Sequence, residues 1–213
     1  MKTDDLISLL ARQPDALPNT RPRRDVLLAG VVGLCAAFAL MALLLGPRPN
    51  LAFVATTPLF WQKAGGLALL MVVAGVSAYR AGLPGRALRP VERLRWAVPA
   101  WFAVATLVTV ATAPAGKALW LFYSPTIVVC LTMIPALSVL PAVAMVWALR
   151  RAAPTDPARA ARAVGWIAGA TGALAYAFHC QADQPGYVLV WYGLAVATTV
   201  VLTQAIATRW LRW

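Results

Sequence analysis

The run VLLAGVVGLCAAFALMALLL, residues 26–45, contains no charged, amide or hydroxyl side chain over twenty positions. At 1.5 Å per residue a helix of that length covers about 30 Å, the thickness of a bilayer's hydrocarbon core. Arg21, Arg23 and Arg24 stand before it, and Gly46-Pro47-Arg48-Pro49-Asn50 stands after it. The same ruler laid along the chain finds five more such stretches, at about 59–79, 96–113, 126–149, 163–180 and 188–208. Short connections rich in Pro, Gly or charge separate them. The expected fold is therefore all-α, a polytopic membrane protein built as a six-helix transmembrane bundle over 26–213, preceded by a tail of residues 1–25.

Composition agrees with this reading. Of 213 residues 61% are hydrophobic and 12% charged, about half the charge of an ordinary soluble domain, so the polar surface needed to coat a globule is missing. The 19 Lys and Arg against 7 Asp and Glu give a net charge of +12, which raises nucleic acid as a partner. The positive charges are nevertheless scattered between apolar runs, and the positive-inside rule together with anionic lipids accounts for them without direct nucleic-acid contact. Sixteen of the 19 fall on one side: in the N-terminal segment, in the second and fourth connections, and at the C-terminus. Only Arg48, Lys63 and Lys117 fall on the other. Both termini are thus expected in the cytoplasm. Trp61, Trp96, Trp120, Tyr123, Trp166, Tyr187, Trp191 and Trp210 lie near span ends, where an interfacial aromatic belt would stand.

No extramembrane segment of this topology exceeds the first 25 residues, which leaves no room for a soluble catalytic domain, and no enzymatic activity is expected. Every Asp, Glu, Lys and Arg falls at or beyond a span end, Lys63 being the deepest. A proton-coupled transporter would carry carboxylates at mid-depth, so that class is disfavoured. A small transporter or bundle subunit for a metal ion or small solute remains the alternative. The fifth stretch carries Gly165, Gly169 and Gly172 at spacings that allow close helix approach. The fourth carries Pro135 and Pro141, which free the carbonyls of Leu131 and Leu137 and should loosen the helix.

Cys130 lies a few residues below the outer end of the fourth stretch, and Cys180 ends the fifth on the same side. Next to Cys180 stand His179, the sole histidine, and Asp183, the sole acidic residue of the outer connections. Two thiols, an imidazole and a carboxylate are the donor types that hold soft or borderline metals, and two thiols can also close a disulfide in an oxidising compartment. Equally, the thiols could be packed as small hydrophobes and the imidazole could sit among lipid headgroups. Cys35, mid-way along the first span, has no assigned role.

Residues 1–13 read as a short amphipathic helix. Thr3 can cap it, Asp4 and Asp5 complement its dipole, and Leu6, Ile7, Leu9 and Leu10 form an apolar stripe before Pro14. So short a helix orders by docking into an apolar groove or by lying on the inner leaflet, and two carboxylates favour docking to a protein over an anionic surface.

The opening TDDLISLLA (3–11), the six stretches, Cys130 ahead of Ile134-Pro135, and HCQADQP (179–185) followed by Trp191-Tyr192 together resemble the NrsF-type integral-membrane anti-sigma factors. These are negative regulators of SigF-like extracytoplasmic-function sigma factors in Gram-negative bacteria. The resemblance runs along the whole chain. It implies residence in the bacterial inner membrane and a tail (Asp4, Asp5, Leu6, Ile7, Leu9, Leu10) that holds a sigma factor there. It further implies that Cys130 and Cys180 are the two cysteines through which heavy-metal or oxidative stress is sensed, with His179 and Asp183 as motif neighbours. No obligatory cofactor is implied; a heavy-metal or zinc-like ion could bind transiently at Cys130, Cys180 and His179. The mechanism this suggests is a crosslink of Cys130 to Cys180 that draws the fourth and fifth helices together, the prolines letting the fourth helix shift residues 150–162 against the docked partner.

Overall fold

The computed structural model describes residues 22–83, 89–114, 116–152 and 154–211. The tail with Asp4, Asp5, Leu6, Ile7, Leu9 and Leu10 lies outside the described residues. Within them every regular element is helical. In order these are α1 (Pro22–Leu44), the single turn α2 (Leu51–Val54), α3 (Pro58–Ala81), α4 (Arg89–Leu94), α5 (Ala97–Thr112), a 3-10 turn (Ala118–Leu121), α6 (Ile127–Ala152), α7 (Pro157–Ala177) and α8 (Pro185–Trp210). A π turn, Val188–Tyr192, interrupts α8 near its start.

Among the described residues five helical segments are long and apolar enough to cross a membrane: Arg23–Leu44, Pro58–Ala81, Val91–Thr112, Ile127–Ala152 and Pro185–Trp210. Their outward faces carry exposed Leu27, Val31, Leu69, Trp101, Leu107, Val143 and Leu202, an apolar shell that water would not tolerate and lipid would. The fifth expected span is also a helix, α7, but falls outside this set. Its composition follows from its place. From Ala163 to Ala177 only Trp166 is incompletely buried, because α1, α3, α6 and α8 all pack round it. A helix with no lipid-facing side needs small residues for close approach more than it needs Leu and Val. A Cβ on Gly165 would sit 2.7 Å from the Val200 Cα, and one on Gly172 would sit 2.7 Å from the Ile134 carbonyl oxygen, so these glycines set the α7–α8 and α7–α6 spacings.

Helix boundaries shift for local reasons. Asp156 caps α7, its carboxylate accepting the Arg159 N–H at 2.9 Å, with Pro157 in the first turn, so the helix begins six residues before the expected 163. It stops at Ala177, which leaves His179 and Cys180 outside it, where the sequence reading had placed Cys180 at the helix end. The helix α6 runs unbroken through Pro135 and Pro141, and Pro141 is buried against Gly33 of α1. The long helices alternate in direction. One core gathers Val26, Ala78, Leu149, Ala160 and Leu211, the start of α1 with the end of α8. The other gathers Phe60, Cys130, Ala177, Cys180 and Tyr187 at the opposite end.

Candidate functional site: a thiol pair beneath a buried ion triad

At that second end three connections meet. Helix α1 closes on Gly46, which at φ +71° occupies the left-handed region that favours glycine, and its N–H bonds back to the Met41 carbonyl at 3.1 Å. The Gly46 carbonyl then receives the Nδ1–H of His179 at 2.8 Å; a carbonyl can only accept, which fixes the proton on Nδ1. Two residues on, the Arg48 N–H donates to the Phe178 carbonyl at 3.1 Å. The Arg48 guanidinium reaches over the ring of Phe60 and donates through Nη1 to the Cys180 carbonyl and to Asp183 Oδ2, both at 3.0 Å.

Lys63, in the second turn of α3, approaches from the other side. Its Nζ donates to the same Cys180 carbonyl at 3.0 Å, to the Ala182 carbonyl at 3.2 Å, and to Asp183 Oδ1. Side-chain exposure is 1% for Arg48, 0% for Lys63 and 16% for Asp183, so two buried cations share one carboxylate. Unpaired, either would be costly to desolvate; the carboxylate, two main-chain carbonyls and the Phe60 face supply the compensation. The sequence reading treated Arg48 and Lys63 as topology charges at the outer surface. They are instead interior, because the 178–183 turn folds over them and supplies the acceptors.

Both thiols lie beneath this triad. Cys130 is fully buried and Cys180 1% exposed, both are free, and they belong to one core and are electrostatic neighbours. Thr126 stands just before α6, one turn ahead of Cys130, whose N–H its carbonyl accepts at 2.8 Å. Its hydroxyl lies 3.9 Å from Cys180 Sγ and 3.2 Å from the Tyr187 hydroxyl, which also neighbours Cys130. The π turn carries Tyr192 into the same pocket, where its hydroxyl and that of Tyr176 neighbour Cys180 without a hydrogen-bond acceptor in good geometry. Tyr187, expected in the aromatic belt, is thus an interior residue, whereas Trp61, Trp96, Trp120, Tyr123 and Trp210 are exposed as a belt requires.

The structure brings Cys130 and Cys180 together and separates their sequence neighbours by role. His179 is turned to Gly46 and Asp183 is held by the two cations. Among the described residues no three His, Cys, Asp or Glu side chains are placed to share an ion, so Cys130, Cys180 and His179 do not form a ready three-ligand metal centre. Sequence reasoning missed Arg48, Lys63, Thr126 and the three tyrosines. The one available signal was Lys63, five residues into an apolar stretch, on the same side as a solitary Asp183.

A family model described as negative regulator of sigma F matches residues 10–213. The chain belongs to the NrsF family. Among its relatives are an anti-sigma-F factor NrsF of Caulobacter vibrioides, 35% identical over 224 residues, and a probable anti-sigma-F factor NrsF of Azospira oryzae, 29% identical over 214 residues; both alignments cover all of each chain. No solved structure matches. NrsF proteins are regulators and not enzymes.

Proposed function

We propose that this NrsF protein is an anti-sigma factor of the bacterial inner membrane that holds an extracytoplasmic-function sigma factor at its N-terminal segment and lets it go when the Cys130–Cys180 pair reacts. Asp4, Asp5, Leu6, Ile7, Leu9 and Leu10 form the docking helix, six helices including α7 cross the membrane, and both termini face the cytoplasm, where the partner is. The observation that carries this reading is the burial of two free thiols from α6 and the 178–183 turn in one pocket at the end of the bundle remote from the start of α1. Buried, paired thiols at the far end from the docking segment suit a sensor better than a structural packing role, since alanine would fill such positions as well.

Two chemistries fit the pair. An oxidant takes two electrons and two protons from the thiols as the disulfide forms; a soft divalent metal displaces two protons and bridges the thiolates. Both sulfurs are shielded, so either reaction needs the turn over Cys180 to open, and the product stabilises a conformation different from the resting one. Turning a 99:1 bound population to 1:99 needs about 5.5 kcal/mol of preference for the released state, within the reach of metal–thiolate bonding.

The test uses full-length protein in membrane vesicles with its sigma factor bound. Cadmium ion or diamide should release the sigma factor from the wild type and from Cys35→Ser, and leave it bound in Cys130→Ser/Cys180→Ser. Equal release from the double variant would sink the sensing role. Separately, Leu6→Ala/Leu9→Ala/Leu10→Ala should abolish retention; full retention would remove the docking assignment.

A further inference from the structure

We propose that Arg48 is the residue that couples the state of Cys180 to helix α1 and so to the docking segment, an inference that rests on the sensing role argued above. Of all the long helices only α1 is covalently continuous with residues 1–21. It is a strut of about 34 Å, 23 residues at 1.5 Å each, running from the docking segment to the thiol end of the bundle. Along its length the packing is apolar and non-directional, through Val26, Ala29, Ala37 and Met41.

Directional bonds are concentrated at its far end. Among the described residues, and apart from the Arg48 carbonyl accepting the Leu51 N–H of the adjoining α2, every hydrogen bond from α1 and its closing turn to another element goes to residues 178–183. These are Arg48 N–H to Phe178, His179 to Gly46, and the guanidinium to Cys180 and Asp183. The guanidinium bond ends on the carbonyl of Cys180 itself. A crosslink that draws the Cys180 main chain toward α6 moves that carbonyl with it, whereas a turn of the side chain alone would not. The Cys180 carbonyl cannot turn without releasing or dragging Arg48.

Lys63 provides the control. It bonds the same carbonyl and the same carboxylate and carries the same charge, but it belongs to α3, which has no direct path to the docking segment. Arg48→Met and Lys63→Met each leave one cation on Asp183, so neither strands an unpaired buried charge. They differ in which helix loses its tie to Cys180.

Vesicles holding the full-length chain with its bound sigma factor are titrated with diamide, and thiol loss and sigma release are read separately. Wild type and Lys63→Met should release at similar diamide concentrations. Arg48→Met should retain its sigma factor at rest and lose its thiols as wild type does, yet need at least tenfold more diamide for half release. Should Arg48→Met fall short of wild-type thermal stability, Arg48→Gln carries the test, since it keeps a polar head but is too short to replace Nη1 on the Cys180 carbonyl, and a shift in the same direction is expected. Wild-type release by Arg48→Met, or an equal defect in Lys63→Met, overturns the coupling. A wild type that loses both thiols and keeps its sigma factor overturns the sensing role first and the coupling with it.

Discussion

Asp183 is the single carboxylate between two buried cations, and that imbalance makes its neighbours unequal. Asp183→Asn leaves Arg48 and Lys63 facing each other without a counter-charge. Breaking such a buried arrangement costs about 3–5 kcal/mol. Lys63→Met leaves a neutral Arg48–Asp183 pair and removes the excess charge, so its cost should be below about 1.5 kcal/mol. Thermal unfolding of the detergent-solubilised variants measures both, and an equal loss of stability would show that the triad is not balanced as its contacts indicate. The same imbalance explains why these residues were hard to find in the sequence. Arg48 and Lys63 have the types and positions of membrane-end anchors, and only the fold of residues 178–183 over them turns anchors into an interior site. Cys130 and Cys180 were legible as a pair because their depth is set by counting along two helices, whereas the orientation of His179 away from them depends on the left-handed turn at Gly46.

Among the elements α7 departs most from expectation. Its mean hydropathy is lowered by Arg159, Arg162 and the glycines, and by a hydropathy criterion alone it falls outside the spans; its place at the centre of the bundle makes it the most buried long helix. Gly172→Leu should therefore be among the most damaging substitutions, because a side chain there meets the Ile134 carbonyl and Ser138 on α6. Overpacking of this kind costs about 1–3 kcal/mol where neighbours can give, and more against backbone. The expected result is loss of monodisperse protein, while Gly30→Leu on the open face of α1, with nothing within 4 Å, leaves it unchanged. The glycine spacing was readable in the sequence; which helices it admits was not, since Gly165 and Gly172 share one face of α7 yet meet different helices, α8 and α6. The start of α7 was missed because Asp156-Pro157 reads equally as a loop, and the two arginines that follow pushed the expected start inward to residue 163.

At the scale of the whole molecule, the number of crossings settles where the sensor faces. With α7 crossing, Thr155 before it and Gln184 after it lie on opposite sides of the membrane; both are exposed. In a cysteine-free background, Gln184→Cys should react with a membrane-impermeant maleimide from outside intact spheroplasts and Thr155→Cys only after lysis. Labelling of both from one side would mean that α7 does not cross. The sequence by itself determined that the chain is a helical membrane protein of the NrsF family, since a bilayer's thickness and the cost of unpaired backbone in lipid act on each apolar stretch independently, and family motifs are local strings. Tertiary structure alone decided that the two thiols share a buried pocket, that an Arg–Asp–Lys triad roofs it, and that α1 is tied to Cys180. Those are relations between residues fifty to more than a hundred positions apart, fixed by packing and by the desolvation of charge, and no linear pattern encodes either.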